Sequence, residues 1–195
     1  IMRVDLLTRE YPPFVYGGAG VHVTELAKVL RPRLDEVRVH TFDGPREPGT
    51  EGGETGVVGH ADLAELAGAN AALKTLGVDL SIAAQTEGAD LVHSHTWYAN
   101  FAGHLSALLN DIPHVISAHS LEPLRPWKAE QLGGGYRISS YIEKTSYEAS
   151  AGIVAVSNGM KADILRCYPN VDDAKVHVIH NVIDLAKWRA PSTDA

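Results

Sequence analysis

Gly17-Gly18-Ala19-Gly20 opens a helix-length amphipathic segment. Glycines there let backbone N–H groups approach an anion, and the following helix adds a favourable dipole, so a phosphate or diphosphate could sit on the loop. A glycine-rich turn with no ligand fits the same residues. Asp43, at the end of the second apolar run, could bind a dinucleotide's ribose, but residues 9–16 separate the first run from the glycines and Val23 replaces the fingerprint's third glycine. His93-Ser94-His95-Thr96-Trp97-Tyr98 ends another run, and alternation puts His93 and His95 on one face. Two such imidazoles could hold a metal, but no Cys, Asp or Glu follows at ligand spacing, so no metal site is expected. His95, Trp97 and Tyr98 suit a sugar-facing cleft wall, with flat apolar faces beside hydrogen-bonding groups, while His93 is expected to pack under the next helix. His119, Ser120 and Glu122 close the next run, where His119 is either a functional imidazole or a satisfied structural one. Ser157 and Asn158 read first as a helix cap. No Gly-x-Ser-x-Gly elbow, Cys–His pairing or Walker lysine supports a hydrolase or kinase.

These residues need elements that gather them. Short Val- and Ile-rich runs at 4–8, 37–42, 91–95, 114–119, 153–157 and 176–179 alternate with amphipathic segments at 22–31, 69–85, 100–109, 139–149 and 158–166. That is the punctuation of strand, helix, strand. Runs such as 152–156 are apolar at nearly every position, which suits strands covered on both faces, hence a doubly wound, mostly parallel, Rossmann-like α/β fold. Ligands bind such sheets at the carboxyl ends of the strands, so residues 8–20, 95–98, 119–122 and 157–158 should converge there. Residues 44–59, with six glycines and Glu47, Glu51 and Glu54, are expected to form a mobile solvated loop or edge excursion. Residues 125–136, with Trp127 and Gly133-Gly134-Gly135, read as a surface loop or short helix leading into a flexible turn.

A chain of 195 residues, 45% hydrophobic and 21% charged, is enough for one sizeable soluble domain. The net charge of −7 is spread along it, which disfavours a nucleic-acid partner. With no membrane-length apolar run and no signal-peptide pattern, the expected location is cytoplasmic, without a membrane partner. The single Cys167 gives no disulfide framework and reads as structural. Ile1 before Met2 is set aside as a remnant or a misplaced start. Residues 1–189 are expected to form the domain, and 190–195, Ala-Pro-Ser-Thr-Asp-Ala, a linker.

Together, Tyr11-Pro12-Pro13, the glycine segment through Ala27, Asp90 to Tyr98, His119 to Lys128 and Val178 to Asp184 resemble the N-terminal half of GT-B retaining glycosyltransferases of the GT4 type. Arg125-Pro126-Trp127-Lys128 and Gln131 to Tyr136 look like the actinobacterial glycogen synthase and maltose-1-phosphate synthase branch, whose members move glucose from ADP-glucose to glucan or glucose 1-phosphate. The resemblance implies that Gly17, Gly18, Ala19 and Gly20 face a donor or acceptor phosphate. It implies that His119 is the catalytic residue against the transferred sugar, and that His95, Trp97, Tyr98, Ser120 and Glu122 border the acceptor cleft. It implies no metal and no cofactor beyond the nucleotide sugar. A C-terminal donor-binding domain would be the missing partner, so the chain alone is expected to be inactive. Val182 stands where the family usually has glycine, so that turn is expected to differ. A non-catalytic sugar-phosphate module and a dinucleotide-binding oxidoreductase fragment are the competing readings.

Overall fold

Seven parallel strands form one sheet in the computed structural model, which describes residues 1–46, 55–182 and 184–185. In chain order they are β1 (Arg3–Leu7), β2 (Glu36–Thr41), β3 (Val57–Gly59), β4 (Leu91–His95), β5 (His114–Ala118), β6 (Gly152–Ala155) and β7 (Val176–Val178). Their spatial order is β3-β2-β1-β4-β5-β6-β7. The α-helices among the described residues are α1 (Gly18–Leu30), α2 (Ala71–Ala83), α3 (Thr96–Asn110), α4 (Lys128–Leu132), α5 (Gly135–Ala149) and α6 (Asn158–Cys167). None is long and apolar enough to cross a membrane.

β1 shows why the strands read as unbroken apolar runs. Val4 and Leu6 pack against Val23 and Ala27 of α1, while Leu7 meets Val78 and Ile82 of α2 and Ala99 and Ala102 of α3. Both faces are covered, so alternation disappears. Burying Leu6 and Leu7 completely contributes about 1.5–3 kcal/mol each. The polar exception is Asp5, which accepts from Arg3 at 2.7 and 2.8 Å and pairs with His40 at 3.1 Å. Burial opposes its charge, but hydrogen bonds from His40 and Arg3 outweigh that and hold its carboxyl below the usual range. His40 continues to His60 at 2.9 Å and His60 to Ser81 at 2.8 Å, tying β1, β2, the end of β3 and α2 together.

The strand order reverses beside β1: β2 lies on one side of it, and β4 on the other, with Leu6 opposite Val39 and His93. At such a switch point the carboxyl ends of the strands border a crevice. α3 follows β4 with no loop, four residues ahead of the expected start at 100. The turn is made at Thr96, whose φ of 65° is left-handed. A β-branched residue there costs about 1–3 kcal/mol. Further along α3, a Cβ on Gly103 would lie 2.2 Å from His114 Nε2, so only glycine lets α3 come so close to β5.

The stretch 44–59 is not simply a loop. Residues 57–59 pair with β2 as an edge strand, with Val39 opposite Val57; residues 47–54 lie outside the described residues. A three-residue strand is too short to show a periodicity. α4 occupies part of 125–136, and Ser157 caps α6 by accepting the Met160 N–H at 3.0 Å. Val182 is not among the described non-glycine residues with a positive φ, so its backbone does not call for a glycine there. The expected linker at 190–195 lies outside the described residues.

Candidate functional site

The end of β1 and the start of α1 face each other across the glycine loop. The Glu10 carboxylate turns back onto the helix entrance, where one oxygen accepts the N–H of Gly17 at 2.7 Å and of Tyr16 at 3.1 Å. These donors belong to the N-cap of α1 and the residue before it, so the carboxylate sits at the positive end of the helix dipole. Gly18 is exposed and an added Cβ would meet nothing within 4 Å, whereas Gly20 is buried and a Cβ there would lie 2.8 Å from Glu10 Oε2. Gly20 is therefore fixed by the packing of Glu10. Exposed Gly18 and half-buried Ala19 form the open side of the loop.

Three histidines meet at the carboxyl edge. His95 ends β4, His119 follows β5 and His22 comes from α1. His95 Nδ1 and His119 Nε2 share a hydrogen bond at 3.1 Å. His22 stands edge-on to His119 at 5.0 Å between ring centres, and one ring nitrogen from each of the three lies within 4.8 Å of the others. His95 is fully buried and its Nε2 has no partner. It does not border the cleft; it backs His119. His93 stacks on it at 4.4 Å, on the same face as expected, and bonds Ser117 Oγ at 2.8 Å; it is half-buried. Burial pushes the His119 pKa down to about 4, with His22 adding to the effect. Burial likewise lowers His22, against a hydrogen bond with Asn181, and lowers His95 well below the usual value, helped by its histidine neighbours. All three are neutral at pH 7. Alternation linked His93 and His95, and strand-end position brought His119 to the same edge, but nothing singled out His22, which lies on a helix face that reads as ordinary amphipathic sequence.

Beside the loop lies a cavity of about 520 Å³ whose walls include Arg9, Tyr16, Asp43, Lys74, Trp97 and Tyr98. The Arg9 guanidinium sits 4.1 Å from the centre of the Tyr98 ring, a cation–π contact that fixes both. Trp97 is only 2% exposed, yet it contributes to the wall, and Tyr98 lines it more openly. Aromatic faces with charged groups at their margin suit a polar ring compound bearing an anionic group. Asp43, the acid a dinucleotide ribose would need, is held by Arg46 at 2.5 and 2.8 Å.

Ser120 remains near this edge, its Oγ accepting weakly from Arg125 at 3.4 Å. Glu122 does not border a cleft. It is fully buried, ion-pairs with Lys128 at 3.3 Å and accepts from Ser139 Oγ at 2.8 Å, so it anchors α4 and α5 beneath the site. Its N–H donates to Glu143 at 2.8 Å, and Tyr168 donates to the same Glu143 oxygen. Burial raises the Glu143 carboxyl to about 8, against those hydrogen bonds. Cys167 has its thiol pKa raised by burial, which agrees with a structural role.

A family model described as Glycosyltransferase Family 4 matches residues 16–187. Over 187 residues, 96% of this chain and 46% of the relative, the sequence is 55% identical to the Alpha-maltose-1-phosphate synthase of Mycolicibacterium smegmatis. It is 28% identical to the Glycogen synthase of Mycobacterium tuberculosis over 96% of this chain and 50% of that protein. Among solved structures, Anabaena HepE in complex with UDP-glucose matches with a TM-score of 0.68 at 18% identity, covering 100% of this chain and 48% of that one. The chain spans about half the length of the curated relatives it matches.

Proposed function

The chain belongs to Glycosyltransferase Family 4, and on that premise we propose that it forms the acceptor-side half of a retaining glucosyltransferase whose donor is ADP-glucose and whose acceptor is glucose 1-phosphate, with α-1,4-glucan as the alternative acceptor. The observation that carries this reading is the cavity lined by Arg9, Lys74, Trp97 and Tyr98 beside the glycine loop. Its aromatic faces can cover a sugar ring while its cations meet a phosphate. The name of the 55% identical relative supports the same acceptor, since joining a glucosyl unit to glucose 1-phosphate gives maltose 1-phosphate.

In the proposed reaction the bond from the donor's anomeric carbon to the diphosphate breaks as the acceptor hydroxyl bonds to that carbon on the same face. The acceptor proton passes to the departing diphosphate oxygen, and ADP leaves. A neutral His119 has no acidic proton to give at pH 7, so its part is a hydrogen bond to the transferred sugar, held in place by His95. Gly18 and Ala19 would offer N–H groups to a phosphate next to the Glu10 carboxylate. The opposite wall of the cleft and the nucleotide pocket would come from a second domain, which would exclude water on closing.

The test is isotope-labelled ADP-glucose supplied with glucose 1-phosphate or glycogen, to this chain and to a version extended by a second domain. The extended protein is expected to form maltose 1-phosphate with retained α configuration, and the short chain nothing above a no-enzyme control. Transfer by the short chain, or none by either protein, would overturn the assignment.

A further inference from the structure

We propose that His22, His95 and His119 form a three-imidazole site for a late first-row divalent cation such as Zn²⁺, and that an ion held there shuts the sugar side of the cleft. Binding rests on the geometry of the histidines alone; the shutting rests on the glucosyltransferase reading. The three rings come from separate elements, α1, β4 and the segment after β5, so the fold and not local sequence brings them together. The His95 Nδ1 to His119 Nε2 separation of 3.1 Å is close to that of two ligands on a tetrahedral ion with Zn–N bonds of about 2.0–2.1 Å. The third nitrogen, on half-buried His22, lies within 4.8 Å of both, and closing on the ion would exchange the His22 hydrogen bond to Asn181 for a metal bond. His93, stacked on His95, keeps the innermost ring from turning away.

The donor set selects the ion. Imidazoles without a carboxylate suit Zn²⁺, Ni²⁺, Co²⁺ and Cu²⁺ and reject Mg²⁺ and Ca²⁺, which require oxygen ligands. Three protein ligands leave a fourth position for water, as in open zinc sites. An unperturbed imidazole is already mostly unprotonated near pH 7, so protons compete only weakly for such nitrogens. The proton shared by His95 and His119 moves to the far nitrogen of its own ring, so the ion binds with no net proton release. In the bound state His95 carries its N–H on Nε2, which is buried without a partner. Metal-binding histidines usually donate that group to an acceptor, and lacking one weakens binding about 10–100-fold, which sets this site below structural zinc centres in affinity. A site of that strength is reversible, as a switch on a cleft needs to be.

Co²⁺ is the probe, because its visible absorption reports coordination directly. The chain is titrated with Co²⁺ alone, then with Zn²⁺ as competitor, alongside His22→Gln, His119→Gln, Cys167→Ser and His104→Gln, the last a half-buried histidine of α3 outside the cluster, each checked for fold by far-ultraviolet circular dichroism. One ion per chain is expected, displaced by Zn²⁺, with binding at least about tenfold weaker in the His22 and His119 variants and unchanged in the other two. Unchanged binding by folded His22→Gln, or loss in Cys167→Ser, would place the ion elsewhere and overturn the site. In the extended enzyme, micromolar Zn²⁺ is expected to stop transfer, and less so in His22→Gln. Undiminished transfer by zinc-loaded enzyme refutes the shutting. Absence of any transfer with Co²⁺ binding intact counts against the glucosyltransferase reading and leaves the metal site standing.

Discussion

Asp79→Asn should stabilise the protein at alkaline pH and do nothing at acid pH. Asp79 lies on α2, is 0% exposed, and neither carboxylate oxygen has a hydrogen-bond partner. The backbone of Ala102 on α3 works against the effect of burial on this carboxyl without outweighing it. Burial therefore pushes its pKa well above the ordinary 3.8. A carboxyl raised in the folded state binds more protons there than in the unfolded chain, so its contribution to stability falls as pH rises from 3.8 towards the folded value. Asparagine keeps the shape and the unmet hydrogen bonds but cannot ionise. The difference between the proteins should then grow by about 1.4 kcal/mol for each pH unit between 3.8 and the raised folded value. For a chain of this size that is about 2–4 °C per kcal/mol in Tm. Melting curves by circular dichroism between pH 4.5 and 8.5 give the measurement. Other groups also titrate, including Glu143, whose own contribution declines with rising pH up to about 8, but they cancel in the difference. Parallel Tm-against-pH curves for the two proteins would refute the reasoning.

Glu10→Gln should tighten binding of glucose 1-phosphate, measured by calorimetry, because it removes the internal negative charge from the α1 entrance while the amide oxygen can still accept from Gly17 and Tyr16; weaker binding would show that the carboxylate helps the ligand. Gly20→Ala should lower stability by about 1–3 kcal/mol in urea titrations, since the new Cβ meets Glu10 and Val15 within 3.0 Å, and parental stability would mean that Glu10 is not held there. Thr96→Gly should raise stability by about 1 kcal/mol by relieving the left-handed backbone, an effect that a loss of stability would disprove. In the extended enzyme, His119→Ala should reduce kcat far more than it raises KM, because a contact with the transferred sugar acts mainly in the transition state. An equal change in both would remove His119 from that role.

The scaffold was legible because two-sided burial writes itself as unbroken apolar runs: every expected strand exists within two residues of its place. What escaped was information carried by the third dimension. β3 is three residues long and shows no period. α3 was expected from 100 because nothing in His95-Thr96-Trp97 looks like a turn, yet Thr96 makes it with one strained residue. The same limit governs the site. Position at a strand end correctly brought His95 and His119 to one edge, but not which of them would be buried; Glu122 looked like a polar rim residue and is committed to Lys128 and Ser139. Glu10 could not be seen as the anion on the glycine loop, because a charged residue in a connecting segment usually points to water.

The place of β1 also bears on how the chain is made. The strand nearest the start of this sequence sits inside the sheet, and its two neighbours emerge from the ribosome at very different times. β2 and α1 follow closely and can cover one side early. The other edge of β1 must wait for β4, roughly fifty residues behind the end of β2, which is several seconds of synthesis at about 5–20 residues per second. Until then a strand with Val4, Leu6 and Leu7 uncovered presents open backbone groups, the condition that invites pairing with another nascent chain. Limiting the speed of translation across residues 42–90, or occupying that edge with a chaperone, would therefore decide yield more than any change to the finished protein's stability.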